Sequence, residues 1–235
     1  LKKPLHRPDP KSVAVSLTEA PRPAVPAAPA PAAPAPVAKP QPKRVPEGPP
    51  SKDPSRMDAE GFIRYWLILG AIPAEKEMSG AVEVAREQLP NEAGLKPKVD
   101  ERVKVKGKEY AWQRYKSPDF QIDFRKACEG QKGDDVTAYA VAYLTCEEDM
   151  PGLKLLLVSN DHSRVYVNGK KVFQQDKSRT MERDQNVVEG VALKKGQNIV
   201  VFKVVNERNL WQGCLRFMDR NGTPIRHLQL SSAPQ

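Results

Sequence analysis

An Asp-His pair is the first feature of this chain that could do chemistry. In "SNDHSRVYVNGKKVF" (159–173), Asp161-His162 stands just ahead of an Asn-Gly turn. A carboxylate beside an imidazole can build a general base, but catalysis then needs a nucleophile and an orienting group. No G-x-S-x-G elbow or comparable motif occurs. The acidic run "CEEDM" (146–150) offers oxygen ligands for Ca²⁺, yet lacks the glycine turn and spaced carboxylates of a calcium loop. Cys128, Cys146 and Cys214 lie far apart with no C-x-x-C spacing, which argues against structural zinc. No metal, cofactor or catalytic residue is therefore expected. Binding chemistry is better represented. "NERNLWQG" sets Trp211, an aromatic face for a sugar ring, beside Asn206, Arg208 and Asn209. The charged loop "DKSRTMERDQN" (176–186) adds Arg179 and Arg183 and is long for a compact sandwich.

The composition limits what can hold these residues in place. Sixteen of the 23 prolines fall in residues 1–56, a stretch with almost no large apolar side chains. Such a segment buries too little surface to offset its ordering entropy. Within it, the Pro/Ala run 21–50 favours extended polyproline II and could reach about 90 Å. Residues 1–56 are expected to be an extended Pro/Ala-rich tail or linker, and residues 57–235 a single domain. The tail carries ten Lys/Arg against four Asp/Glu, whereas residues 57–235 are close to neutral, with 28 against 25. Nucleic-acid binding usually needs a basic face with stacking aromatics on the fold itself, so it is not expected. The apolar run 62–74 is broken by Arg64 and falls short of a membrane span. The chain opens without methionine, so an upstream signal peptide or anchor is one expectation.

From Asp58 onward the pattern is mostly β. "RYWLILGAI" (64–72) reads as a buried strand, and "SGAVEVAREQLP" (79–90) as one short helix with Ser79 as N-cap and Pro90 as stop. "GKEYAWQRYKS" (107–117) reads as a single strand. "VTAYAVAYLT" (136–145) places Tyr139, Val141 and Tyr143 on one face and small residues on the other. "LKLLLVS" (153–159) is a core strand. Asn168-Gly169 closes a hairpin across 164–173, because a type I′ turn needs two positive φ angles. Further strands flank Lys194-Lys195-Gly196 and a second Asn-Gly at 221–222. Short strands separated by turn chemistry predict an all-β fold, an antiparallel β-sandwich or jelly roll.

The order of features resembles the galactose-binding-like jelly-roll modules of bacterial secreted and cell-surface proteins. The likeness runs from the strand Trp66 to Gly70, through the strand around Trp112 and the run 136–145, to the hairpin region 153–173. It closes with "LKKGQNIVVFKVVN" (193–206) and the strand Trp211 to Arg216. The resemblance implies that Asp161 is a structural corner whose carboxylate closes the loop on nearby backbone N–H groups, with His162 replaceable. It also implies that Trp66, Trp112 and Trp211 sit at framework positions, Trp211 being the one beside a polar loop. Members of such a family bind carbohydrate, bind protein or have no ligand, so the fold does not choose among them. The expected function is a non-catalytic interaction or structural module. It would be an accessory subunit of an extracytoplasmic, membrane-associated assembly, held by its tail to other protein subunits. The alternative is a carbohydrate-binding module.

Overall fold

The computed structural model describes residues 57–75, 78–129 and 133–234. The tail of residues 1–56, and the domain boundary expected at its end, lie outside them. The described chain begins with β1 (Tyr65–Pro73), α1 (Gly80–Ala85), β2 (Arg102–Val105), β3 (Lys108–Ala111), β4 (Gln113–Lys116) and β5 (Ile122–Asp123). It continues through α2 (Phe124–Ala127), β6 (Val136–Cys146), β7 (Met150–Ser159), β8 (His162–Val167) and β9 (Lys170–Gln175). β10 (Asn186–Leu193), β11 (Gly196–Asn206), β12 (Gln212–Met218) and β13 (Gln229–Ser231) complete it. One sheet has the order β4-β1-β6-β11-β8-β9, with β13 also paired to β6, and a second has the order β10-β7-β12-β5. All pairings are antiparallel. The fold is the all-β antiparallel sandwich that the sequence predicts.

The two-residue period of each strand builds the core. Ala138, Ala140 and Ala142 of β6 and Val200, Phe202 and Val204 of β11 share one buried cluster with Leu153, Leu155 and Leu157 of β7 and Leu215 and Phe217 of β12. These are the alternate, inward positions of the two sheets. The other face of the larger sheet is buried as well. Leu67, Leu69, Tyr139, Val141, Tyr143, Tyr166 and Val201 pack against Leu89, Val105, Tyr110 and Trp112 of the segment between β1 and β4. Tyr143 ties this cover down by donating to the Pro97 carbonyl at 2.7 Å.

A polar group lies under the same cover. Lys203 of β11 and Glu92 are both fully buried, with Nζ 2.9 Å from Oε1. Lys203 also donates to the Arg86 carbonyl, and Tyr139 donates to Glu92. The Lys203 ammonium lies 5.5 Å from the centre of the Tyr139 ring. Burial holds the Lys203 pKa below the ordinary lysine value while the Glu92 charge opposes that shift.

Three local expectations change. The stretch 107–117 is two strands, because β3 turns back on β2 while β4 pairs with β1. The turn between β2 and β3 is Lys106-Gly107, with φ of 50° and 81°, the double positive angle of a tight hairpin. The helix in 79–90 stops at Ala85, since Arg86 is extended and Gln88 N–H turns inward to Glu92 Oε1 at 2.8 Å. Among the described residues there are two short α-helices instead of one. The second, α2, is started by Asp123, whose side chain accepts from the N–H groups of Arg125 and Lys126. Four residues are too few to show helical periodicity.

Candidate functional site

Asp161 lies at the corner between β7 and β8 with φ of 54°, a left-handed angle that Asp tolerates better than most residues. It is buried. Its Oδ2 accepts the Glu207 N–H at 2.9 Å and its Oδ1 accepts the Ser178 hydroxyl at 2.5 Å. The carboxylate is thus engaged with the Glu207 N–H and the Ser178 hydroxyl, each from a different loop. Asn168 and Gly169 form the expected turn, with φ of 51° and 79°. Asn168 also reaches across to β11, accepting from Ile199 N–H and donating to Asn198 Oδ1.

His162 departs from the expectation that it is replaceable. Its ring is buried, with Nε2 3.2 Å from Glu207 Oε1. That approach is close in distance but poorly aligned, so neither ring nitrogen makes a hydrogen bond. The ring also packs on Gly80, where an added Cβ would lie 2.2 Å from His162 Cδ2.

Beside this corner is an open cleft of about 450 Å³ lined by Asp135, Asp161, Ser178, Glu207, Arg208 and Asn209. Two of the sequence-predicted contacts, Arg208 and Asn209, line it. The others do not. Trp211 is 1 % exposed and stacks on Phe124 with ring centres 5.3 Å apart, so its face belongs to the core. Asn206 is fully buried and donates to the Gly133 carbonyl. Arg179 donates to Asn186 Oδ1 and the Ser159 carbonyl. Arg183 pairs with Glu60 and lies over Phe62 and Phe120, at 5.0 and 5.5 Å from the ring centres. Arg216 also lies over Phe62 and donates to the Asp184 carboxylate. The charged loop 176–186 is therefore fastened to the body by both of its predicted arginines.

Asp135, Ser178 and Glu207 were not singled out by sequence. Glu207 had a readable signal, since it stands inside the polar run Asn206–Asn209. Asp135 and Ser178 are remote in sequence, and only the folding of β6 and the β9–β10 loop brings them here. Asp135 N–H donates to the Glu207 carbonyl at 3.1 Å. The side chains of Asp135, Arg208 and Asn209 make no hydrogen bond or ion pair among the described residues.

Other candidate chemistry is absorbed into the fold. Asp149 of the acidic run accepts from the Lys195 N–H and braces the β10–β11 turn. Among the described residues no group of three or more His, Cys, Asp and Glu side chains is placed to hold a metal ion. The three cysteines are free and buried. Burial pushes the Cys128 and Cys214 thiols up to about 12 and that of Cys146 up to about 11. Thiols in such surroundings carry little of the reactive thiolate near neutral pH. No helix among the described residues is long and apolar enough to cross a membrane.

No protein-family model and no curated protein sequence matches this chain. Among solved structures it is similar to the GH31 alpha-xylosidase from Xanthomonas citri, at 11% identity and a TM-score of 0.32. The match covers 76% of this chain and 19% of that enzyme. A likeness of that degree assigns neither ligand nor activity.

Proposed function

We propose that the β-sandwich is a non-catalytic recognition module of the galactose-binding-like kind, and that its cleft takes a hydroxyl-rich ligand, a glycan. The observation that carries this reading is the division of labour in the cleft. Asp161 and Ser178 are engaged in shaping it, whereas Asp135, Arg208 and Asn209 present side chains without partners among the described residues. Carboxylate oxygens accept from sugar hydroxyls, the guanidinium donates to them, and the amide does both. Leu210, 58 % exposed and next in the chain to Asn209, adds an apolar surface at this loop. The engagement of Asp161 and the burial of His162 support the non-catalytic part of the reading.

The test is calorimetric titration with neutral monosaccharides, D-galactose first, against the wild type, Asp135→Ala and Asn209→Ala. Each variant should lose about tenfold in affinity, the effect of one or two hydrogen bonds, with an unchanged melting temperature. Unaltered binding by both variants would place the ligand elsewhere.

The second reading, an accessory subunit of an extracytoplasmic, membrane-associated assembly, is favoured by the basic, proline-dense composition of residues 1–56. A proline-dense tail would dock with less loss of entropy than a Gly/Ser-rich one and would act by tethering. Deleting residues 1–50 should leave the domain folded but reduce its co-purification with membrane-bound partners. Retention of the full chain should fall toward that of the truncated form as salt rises, because exposed ion pairs are screened. Equal retention of the two forms at low salt would reduce the tail to a spacer.

A further inference from the structure

Glu207 belongs to two parts of the molecule. Its side chain is 35 % exposed and lines the cleft. Its Oε1 accepts the Gly80 N–H at 2.8 Å, at the first residue of α1. The opening N–H groups of a helix have no partner within it, and Ser79, at the N-cap, makes no side-chain bond to them. Glu207, arriving from the end of β11, takes over that role. His162 Nε2 stands 3.2 Å from the same oxygen. The fit is close: a Cβ on Gly80 would lie 2.4 Å from His162 Nε2 and 2.9 Å from Glu207 Oε1. No side chain fits there without moving the imidazole or the carboxylate. Glu207 Oε2 makes no hydrogen bond among the described residues.

We propose that Gly80 and His162 are positioning residues for the cleft. Neither lines it, yet the Gly80 N–H holds one oxygen of the Glu207 carboxylate and the His162 ring, packed on Gly80, walls in that oxygen, so that the other meets a hydroxyl donor of the ligand. A side chain already held loses less rotamer freedom on binding, so its hydrogen bond contributes more to affinity. The same contact works in reverse. A ligand that fastens Oε2 also steadies Oε1 against Gly80 and so steadies α1, because coupling between two sites is reciprocal. This inference rests on the cleft being the glycan site.

Two measurements test it, one of them without ligand. In the free protein, Gly80→Ala should speed hydrogen exchange in the loop 207–210 as well as in residues 80–86. Exchange in β7 and β12 should be unchanged. His162→Ala removes the ring packed on Gly80 and beside Glu207 Oε1, and should speed exchange in 207–210 more mildly. It also serves if Gly80→Ala does not fold. With D-galactose as probe, both variants should bind about tenfold more weakly than wild type. Glu207→Gln, which keeps an oxygen for Gly80 N–H, should weaken binding while leaving α1 protected. Saturating wild type with D-galactose should slow exchange in 80–86. A fall in melting temperature with unchanged affinity and unchanged exchange in 207–210 would make Gly80 and His162 merely structural and overturn the proposal. If wild type ignores D-galactose and every other monosaccharide, the glycan reading fails, and the ligand-free exchange alone decides whether these residues position the loop.

Discussion

Lys203→Met should destabilise the domain by about 3–5 kcal/mol, although no atom of Lys203 reaches the surface. The size follows from what stays behind. Glu92 is also fully buried, and its Oε1 would lose the ammonium at 2.9 Å while remaining beneath the cover of the larger sheet. An unpaired buried charge costs far more than the pair contributes. Glu92→Met should fall in the same range for the converse reason, leaving the Lys203 charge without its carboxylate, beside the Arg86 carbonyl and the Tyr139 ring. The double variant Lys203→Met/Glu92→Met should recover at least about half of either single loss, since both charges leave together. Full recovery is not expected, because Tyr139 and the Gln88 N–H also donate to Glu92. Urea unfolding of the four proteins measures this. Single losses below about 1 kcal/mol would mean that water reaches the pair and that the cover sits loosely.

Trp211→Ala should cost about 3–5 kcal/mol, the range for deleting a large buried aromatic. An aromatic that stacks on sugar from an exposed rim would lose affinity on truncation and little stability. Trp211 is buried against Phe124 and shares its cluster with Phe202. Trp211→Phe should be much milder, about 1 kcal/mol, because it keeps a ring against Phe124. It also removes an indole N–H that is buried without a hydrogen-bond partner among the described residues. A Trp211→Ala protein that melts like wild type but no longer binds glycan would return this residue to the ligand site.

Much of the sandwich was legible because strand alternation is local. The run 136–145 separates Tyr139, Val141 and Tyr143 from Ala138, Ala140 and Ala142 in the sequence, and the structure buries the two sets in different clusters. What alternation does not reveal is that both faces are covered. Lys203 reads as a solvated position on an otherwise apolar strand, and its partner Glu92 is 111 residues away. Lys106-Gly107 passed unread as a hairpin because Lys is an uncommon residue at a left-handed φ. The cleft was half legible for the same reason. Arg208 and Asn209 announce a polar loop by themselves, whereas Asp135 and Ser178 join it only through strand pairing. Trp211 misled because the run Asn206–Asn209 just ahead of it is polar while its ring turns to the core.

The two Asn-Gly steps have different chemical lifetimes. Asparagine before glycine ages by attack of the following amide nitrogen on its own side-chain carbonyl, and that requires the side chain to swing over the backbone. At Asn168 both ends of the amide are engaged, the oxygen by Ile199 N–H at 2.9 Å and the nitrogen by Asn198 at 2.7 Å. At Asn221 the N–H is held by the Asp219 carboxylate and the Gly222 N–H by the Asp219 carbonyl at 3.1 Å, but the side-chain amide has no bond among the described residues and the residue is exposed. Of the two Asn-Gly steps, the 221–222 turn should therefore gain a negative charge first in stored protein, as peptide mapping would read. The β8–β9 hairpin, whose geometry the sheet depends on, stays chemically intact.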